Sequence, residues 1–161
     1  MDFTKEFINR ARNAIHNQSI PPVYNPVEWE GKKFNCYAYA LQIKMSINPM
    51  ELGVGFTTGK EAKRKEYTAE FVLEQFLIDC KNLNLNCSKI QIDDQIEKDE
   101  YKVALYVWKN WSYHLKRQDR DGNWSEKRGW SDLISRVKRE DVLKDELFEL
   151  IGIFKISKKK E

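Results

Sequence analysis

An α+β fold follows from three features of the sequence. Apolar residues recur at helical spacing through the first half of the chain, and from about residue 86 the period shifts toward two. No helix-length segment then separates the later strand candidates, so parallel crossovers are absent and the sheet should be antiparallel.

The first helix is read at 3–17, where Phe3, Phe7, Ile8, Ala11 and Ile15 form one apolar stripe and Asp2 or Thr4 can cap it. Residues 18–33 carry Pro21, Pro22 and Pro26, which are incompatible with an interior helix or central strand, so an extended arm is expected. A second helix opens at Asn35 or Cys36, with Asn35 as N-cap and Ala38, Ala40, Leu41, Ile43 and Met45 carrying the period to about residue 46. Pro49, Gly53, Gly55 and Gly59 mark a long loop. The third helix, 68–83, turns Phe71, Val72, Gln75, Phe76 and Cys80 inward and Glu74 and Asp79 outward. Strands are expected at 87–92, 103–108, 111–118, 123–127 and 147–156, with a turn at Asp121-Gly122 and a short helix at 139–145.

At 161 residues the chain suits one domain, read as a helical extension (1–17), the arm (18–33), a catalytic-like core (34–156) and a basic tail (157–161). Apolar residues at 41% and five tryptophans exceed what a disordered chain carries. Asp2, Lys5, Glu6 and Arg10 interrupt any secretory apolar run, and no stretch reaches membrane-spanning length. Cys36, Cys80 and Cys87 are an odd, scattered set, which suits a reducing compartment, and the cytoplasm is the expected location. A net charge of +3, with Lys155 and Lys158–Lys160 near the end, gives little reason to expect nucleic acid. Two distant histidines and three dispersed cysteines lack zinc-ligand spacing, so neither metal nor other cofactor is expected.

Cys36 falls in the first turn of a predicted helix, where unpaired N–H groups favour negative charge; the alternative is a small buried residue. His114 follows the best central-strand candidate, and a Cys–His pair requires only spatial adjacency. A third group to orient the imidazole is Glu126. A loop of Arg120-Asp121-Gly122, closed by a left-handed glycine, sets Asp119 opposite Asn123 and Glu126 opposite Lys116, which places Glu126 diagonally across from His114 on one face. A two-residue Asp121-Gly122 turn would send Glu126 to the opposite face. Asn35, Tyr37, Tyr113, Trp111 and Trp124 are candidates for the cleft around this constellation.

The segments Phe34-Asn35-Cys36-Tyr37-Ala38-Tyr39-Ala40-Leu41 and Tyr113-His114 through Trp124-Ser125-Glu126-Lys127 resemble small bacterial and phage proteins with an NCYAYAL helix start and a YHxYRxDxxGxWSHK hairpin. Those proteins look like relatives of the NlpC-type papain-like cysteine peptidases. The resemblance, spanning about residues 24–129, implies a papain-like core with a nucleophile helix on an antiparallel sheet. It further implies Cys36 as nucleophile, His114 as base and position 126 as third residue. Glu126 departs from the histidine of that motif, although a carboxylate can accept the imidazole N–H. The Leu52-Gly53-Val54-Gly55 stretch also departs, standing where a Pro-Gly turn is usual.

The function implied is that of a cysteine peptidase or amidase acting on an intracellular peptide, a protein or a small amide. The alternative is a non-catalytic phage or bacterial binding protein, for instance in counter-defence, that uses the same cleft to capture a host protein or small signalling molecule. No membrane partner is expected, and the sequence leaves oligomeric state open.

Overall fold

Six antiparallel strands in the order β1-β6-β2-β3-β4-β5 organise the chain. They are β1 (Leu85–Ile90), β2 (Tyr101–Trp108), β3 (Ser112–Gln118), β4 (Trp124–Lys127), β5 (Ile134–Val137) and β6 (Glu149–Lys158). The helices are α1 (Phe3–His16), α2 (Pro26–Trp29), α3 (Cys36–Leu41), α4 (Ala69–Asn82) and α5 (Arg139–Leu143), with 3-10 turns at Phe56–Thr58 and Arg64–Glu66. The computed structural model describes residues 3–31, 34–45, 52–59, 62–128 and 133–160. The class is therefore α+β. Among the described residues no helix is long and apolar enough to cross a membrane.

Alternation along the strands divides the interior into two layers. Val103, Leu105, Leu115, Phe154 and Ile156 meet α1, α3 and α4 through Phe7, Ala11, Tyr37, Leu41, Val72 and Phe76. On the opposite face Ala104, Tyr106, Trp124 and Ile153 pack with Val142 of α5. At one end Trp29 of α2 packs with Tyr39 of α3 and Ile134 of β5.

Several boundaries differ from expectation for identifiable reasons. The arm is not wholly extended, because Pro26 occupies the first turn of α2, where its missing N–H costs nothing. α3 stops at Leu41 rather than near residue 46, since Gln42 adopts a left-handed conformation (φ 62°) and its N–H and that of Ile43 close back on Ala38. Positions 46–51, which held the expected helix end and Pro49, lie outside the described residues. β1 begins two residues earlier than expected, and β6 runs from Glu149 to Lys158, so Lys158 belongs to the sheet and not to a tail. Its Nζ donates to the carbonyls of His16 and Gln18. β5 was not foreseen.

Asp79 reverses its expected orientation. It is fully buried and accepts hydrogen bonds from the Tyr37 hydroxyl (2.5 Å), Gly55 N–H (2.7 Å), and both the N–H and hydroxyl of Thr57. A buried carboxylate with that many donors is satisfied, and it ties α4, the 52–58 turn and α3 together. Burial nonetheless pushes its pKa up, against the pull of those donors.

Candidate functional site

Cys36 is the first residue of α3. The helix starts there because the Asn35 side chain accepts the Ala38 N–H (2.9 Å), while its amide donates to the Leu52 carbonyl and fixes the approach of the preceding chain. One residue on, the Tyr37–Asp79 bond anchors α3 on α4. The thiol thus has a short helix held at two points beneath it.

His114 and Glu126 come from the β3–β4 hairpin. Gly122 has φ +86°, its N–H bonds Asp119 O (2.9 Å), and the Asp119 N–H bonds Asn123 O (2.8 Å), so the loop is Arg120-Asp121-Gly122. Arg117 pairs with Ser125 and Gln118 with Trp124, a register that sets Lys116 opposite Glu126. β3 and β4 pair over only those two steps and then part. At the opening, Cys36 and His114 line one pocket, and the thiol is among the groups that raise the imidazole pKa, although His114 lies on the face opposite Leu115.

Glu126 Oε2 lies 3.7 Å from His114 Nε2, an ion-pair contact longer than a hydrogen bond, and 3.6 Å from Lys116 Nζ. Its Oε1 accepts a 2.6 Å bond from Arg128 Nε. All three of Glu126, Lys116 and His114 are buried, at 2%, 1% and 5% exposure. Burial acts to lower the His114 pKa, but the adjoining Cys36 and Glu126 more than offset it and raise it to about 9. Burial conversely pushes Glu126 up, and His114, Arg128 and Lys116 bring it down to about 2. At neutral pH the site therefore holds an imidazolium beside a carboxylate.

A pocket of about 490 Å³ opens onto this group, lined by Asn35, Cys36, Ser112, Tyr113, His114, Glu126 and Arg128, with 145–148 as its other wall. That wall was not anticipated. Asp145 accepts the Leu147 and Phe148 N–H groups and a 2.8 Å bond from Lys116, and Phe148 stacks on the imidazole (5.2 Å between centroids, 29°). Among the described residues no group of three or more His, Cys, Asp or Glu is placed to hold a metal ion.

The structure separates the expected cleft residues. Asn35 and Tyr113 line the pocket. Tyr37 does not; it is a core residue with no exposure, because Asp79 and the Phe56 and Tyr113 rings enclose it. Trp124 is buried near the hairpin loop with Ala104, Tyr106 and Ile153, away from the thiol. Trp111 is exposed beyond the rim, under the Arg64 guanidinium at 3.7 Å. Trp130 lies outside the described residues. Cys80 is buried in α4, where the neighbouring Cys87 thiol and burial push its pKa up.

Fold and site together define an α+β protein with a buried cysteine–histidine–glutamate cluster at the mouth of a pocket. The chain belongs to the family described as Domain of unknown function (DUF7689), whose model matches residues 27–148 and so spans α3, the hairpin and the 145–148 wall. No curated protein and no solved structure matches it.

Proposed function

We propose that this chain is a cysteine hydrolase of papain-like, NlpC type that cleaves an amide or ester by acyl transfer. The observation that carries the reading is the buried cluster: Cys36 and His114 on the wall of one open pocket, with His114 Nε2 3.7 Å from the Glu126 carboxylate. A lone buried cysteine needs no such partner, and an imidazole set between a cysteine and a carboxylate at a pocket wall is the arrangement that an acid–base partner of a thiol nucleophile requires.

In this mechanism the Cys36 thiol first loses its proton to solvent, so that a thiolate stands beside the His114 imidazolium; Sγ then attacks the carbonyl carbon, and the C–O electron pair moves to oxygen, where the Cys36 N–H helps to hold it. The His114 imidazolium passes its proton to the leaving nitrogen as the C–N bond breaks, leaving a thioester. Water then attacks the thioester with His114 as base, and Cys36 departs as the acid product is released. Glu126 orients the ring and stabilises its positive charge throughout. Substrates in this reading are a peptide, a protein side chain or a small amide, and the papain-like architecture agrees with α3 packed on β3 and β4.

Iodoacetamide labelling followed by peptide mass mapping tests the reading. Cys36 should react faster than Cys80 or Cys87, and His114→Gln should slow it about 10²-fold or more, the scale of an acid–base partner. Equal labelling of Cys36 in wild type and His114→Gln would sink the proposal.

A further inference from the structure

The proposed chemistry leaves one surface feature unused. Trp108 and Trp111 are 39% and 46% exposed, and Leu147, on the pocket wall, is 57% exposed. The two tryptophan rings continue those of the site: His114 to Phe148 at 5.2 Å, Phe148 to Trp108 at 5.8 Å in an edge-on contact, and Trp108 to Trp111 at 5.8 Å. The Arg64 guanidinium stacked on Trp111 fixes the outer end. Large apolar groups left facing solvent in a contiguous run mark a binding surface more often than scattered ones do.

From this run we infer that the Trp108–Phe148–Leu147 shelf receives a large apolar or aromatic side chain on the leaving-group half of the substrate. The inference rests on the acyl-transfer reading above. The group that protonates the leaving nitrogen must stand beside it, so the departing half lies next to His114, and the aromatic run begins at that imidazole. Charge points the same way. Lys116, buried behind the pocket, is committed to Asp145, and Arg128, whose Nε bonds Glu126, shares the rim with exposed Glu146, so the rim carries no surplus cation for an anionic leaving group.

The specificity of the leaving-group side can be read without knowing the natural acyl group. p-Nitrophenyl acetate acylates the thiol and expels p-nitrophenolate. The acetyl thioester then partitions between water, giving acetate, and an added amine, whose nitrogen attacks the carbonyl, loses its proton to His114 and releases the Cys36 thiolate. With phenylalaninamide and glycinamide as competing amines, the ratio of N-acetyl products reports the shelf, each variant serving as its own reference. Phenylalaninamide should be captured about tenfold or more in preference to glycinamide, the effect of one well-placed aromatic contact, and the preference should fall toward unity in Trp108→Ala and in Leu147→Ala. Acetylation of Cys36 with equal capture of both amines, or with a preference that both variants retain, would overturn the inference and leave the hydrolase reading standing. Failure of Cys36 to acetylate at all would overturn the hydrolase reading, and the inference with it.

Discussion

Lys116 is 1% exposed, donates to Asp145 Oδ2 and the Asp141 carbonyl, lies over the Tyr106 ring at 4.8 Å and stands 3.6 Å from Glu126. A buried ammonium is tolerated only with such partners. Lys116 and Glu126 stand as a charge-matched pair facing each other across β3 and β4. Glu126→His alone should therefore be poorly accepted. It leaves Lys116 and Arg128 facing a group that is neutral at best, and should cost about 2–3 kcal/mol, below the usual range for breaking a buried pair because Asp145 remains. Lys116→Tyr with Glu126→His should recover at least about 1 kcal/mol of the summed losses, the scale of coupling between residues in contact. Urea denaturation of the two single variants and the double variant measures this, and strict additivity would show that the two positions do not compensate each other.

Much of what positions the thiol at the level of elements was legible locally. The Asn35 cap has a short-range chemical reason, and so does the Gly122 loop that sets Glu126 on the His114 face. What escaped reading depends on partners distant in sequence. Asp79 breaks the polar face expected of α4 only because Tyr37, Gly55 and Thr57 arrive to satisfy it. The four residues of β5 carry too short a pattern to separate from loop. The 145–148 wall reaches His114 because β6 inserts beside β2, with Glu149 opposite Val107, which sets Phe148 against Trp108. No local pattern encodes that adjacency. The cap itself can be tested: Asn35→Ala removes an acceptor for Ala38 N–H and a donor to Leu52 O, and should lower stability by about 1–2 kcal/mol. It should also slow Cys36 alkylation, because the first turn of α3 loses its anchor to the 52–58 segment. Unchanged melting temperature and alkylation rate would show that α3 is held by its packing alone.

Across the whole molecule the charged cluster links the site to folding through pH. The sheet order puts β3 and β4 toward one side, away from the β1 edge, and closes them over with 145–148, so the cluster cannot ionise as it would in an unfolded chain. His114 has a folded pKa of about 9, above the ordinary 6.5, so the stability it contributes is fully present below about pH 6.5 and is lost as pH rises through about 9. Glu126, at about 2 against 4.5, contributes in the opposite sense: fully above about pH 4.5, and lost as pH falls through about 2. Other groups overlap the acid limb with the reverse slope, since burial raises Asp79 and Asp119. The buried tyrosines Tyr37, Tyr39, Tyr101 and Tyr106 are raised from 10 and act only above that pH. Cys80, raised from 9 by its Cys87 neighbour and by burial, enters only at the upper end, so the interval from pH 6.5 to about 8.5 reports mainly on His114. Urea unfolding of wild type should lose a few kcal/mol over that interval, on the order of the linkage for a shift of this size. His114→Gln should be less stable than wild type at pH 6 and nearly flat to about pH 8.5, so the two curves converge in alkali. Parallel curves would mean that folding takes up no extra proton at His114, so that any charge on the imidazole is held at the expense of the Cys36 thiol.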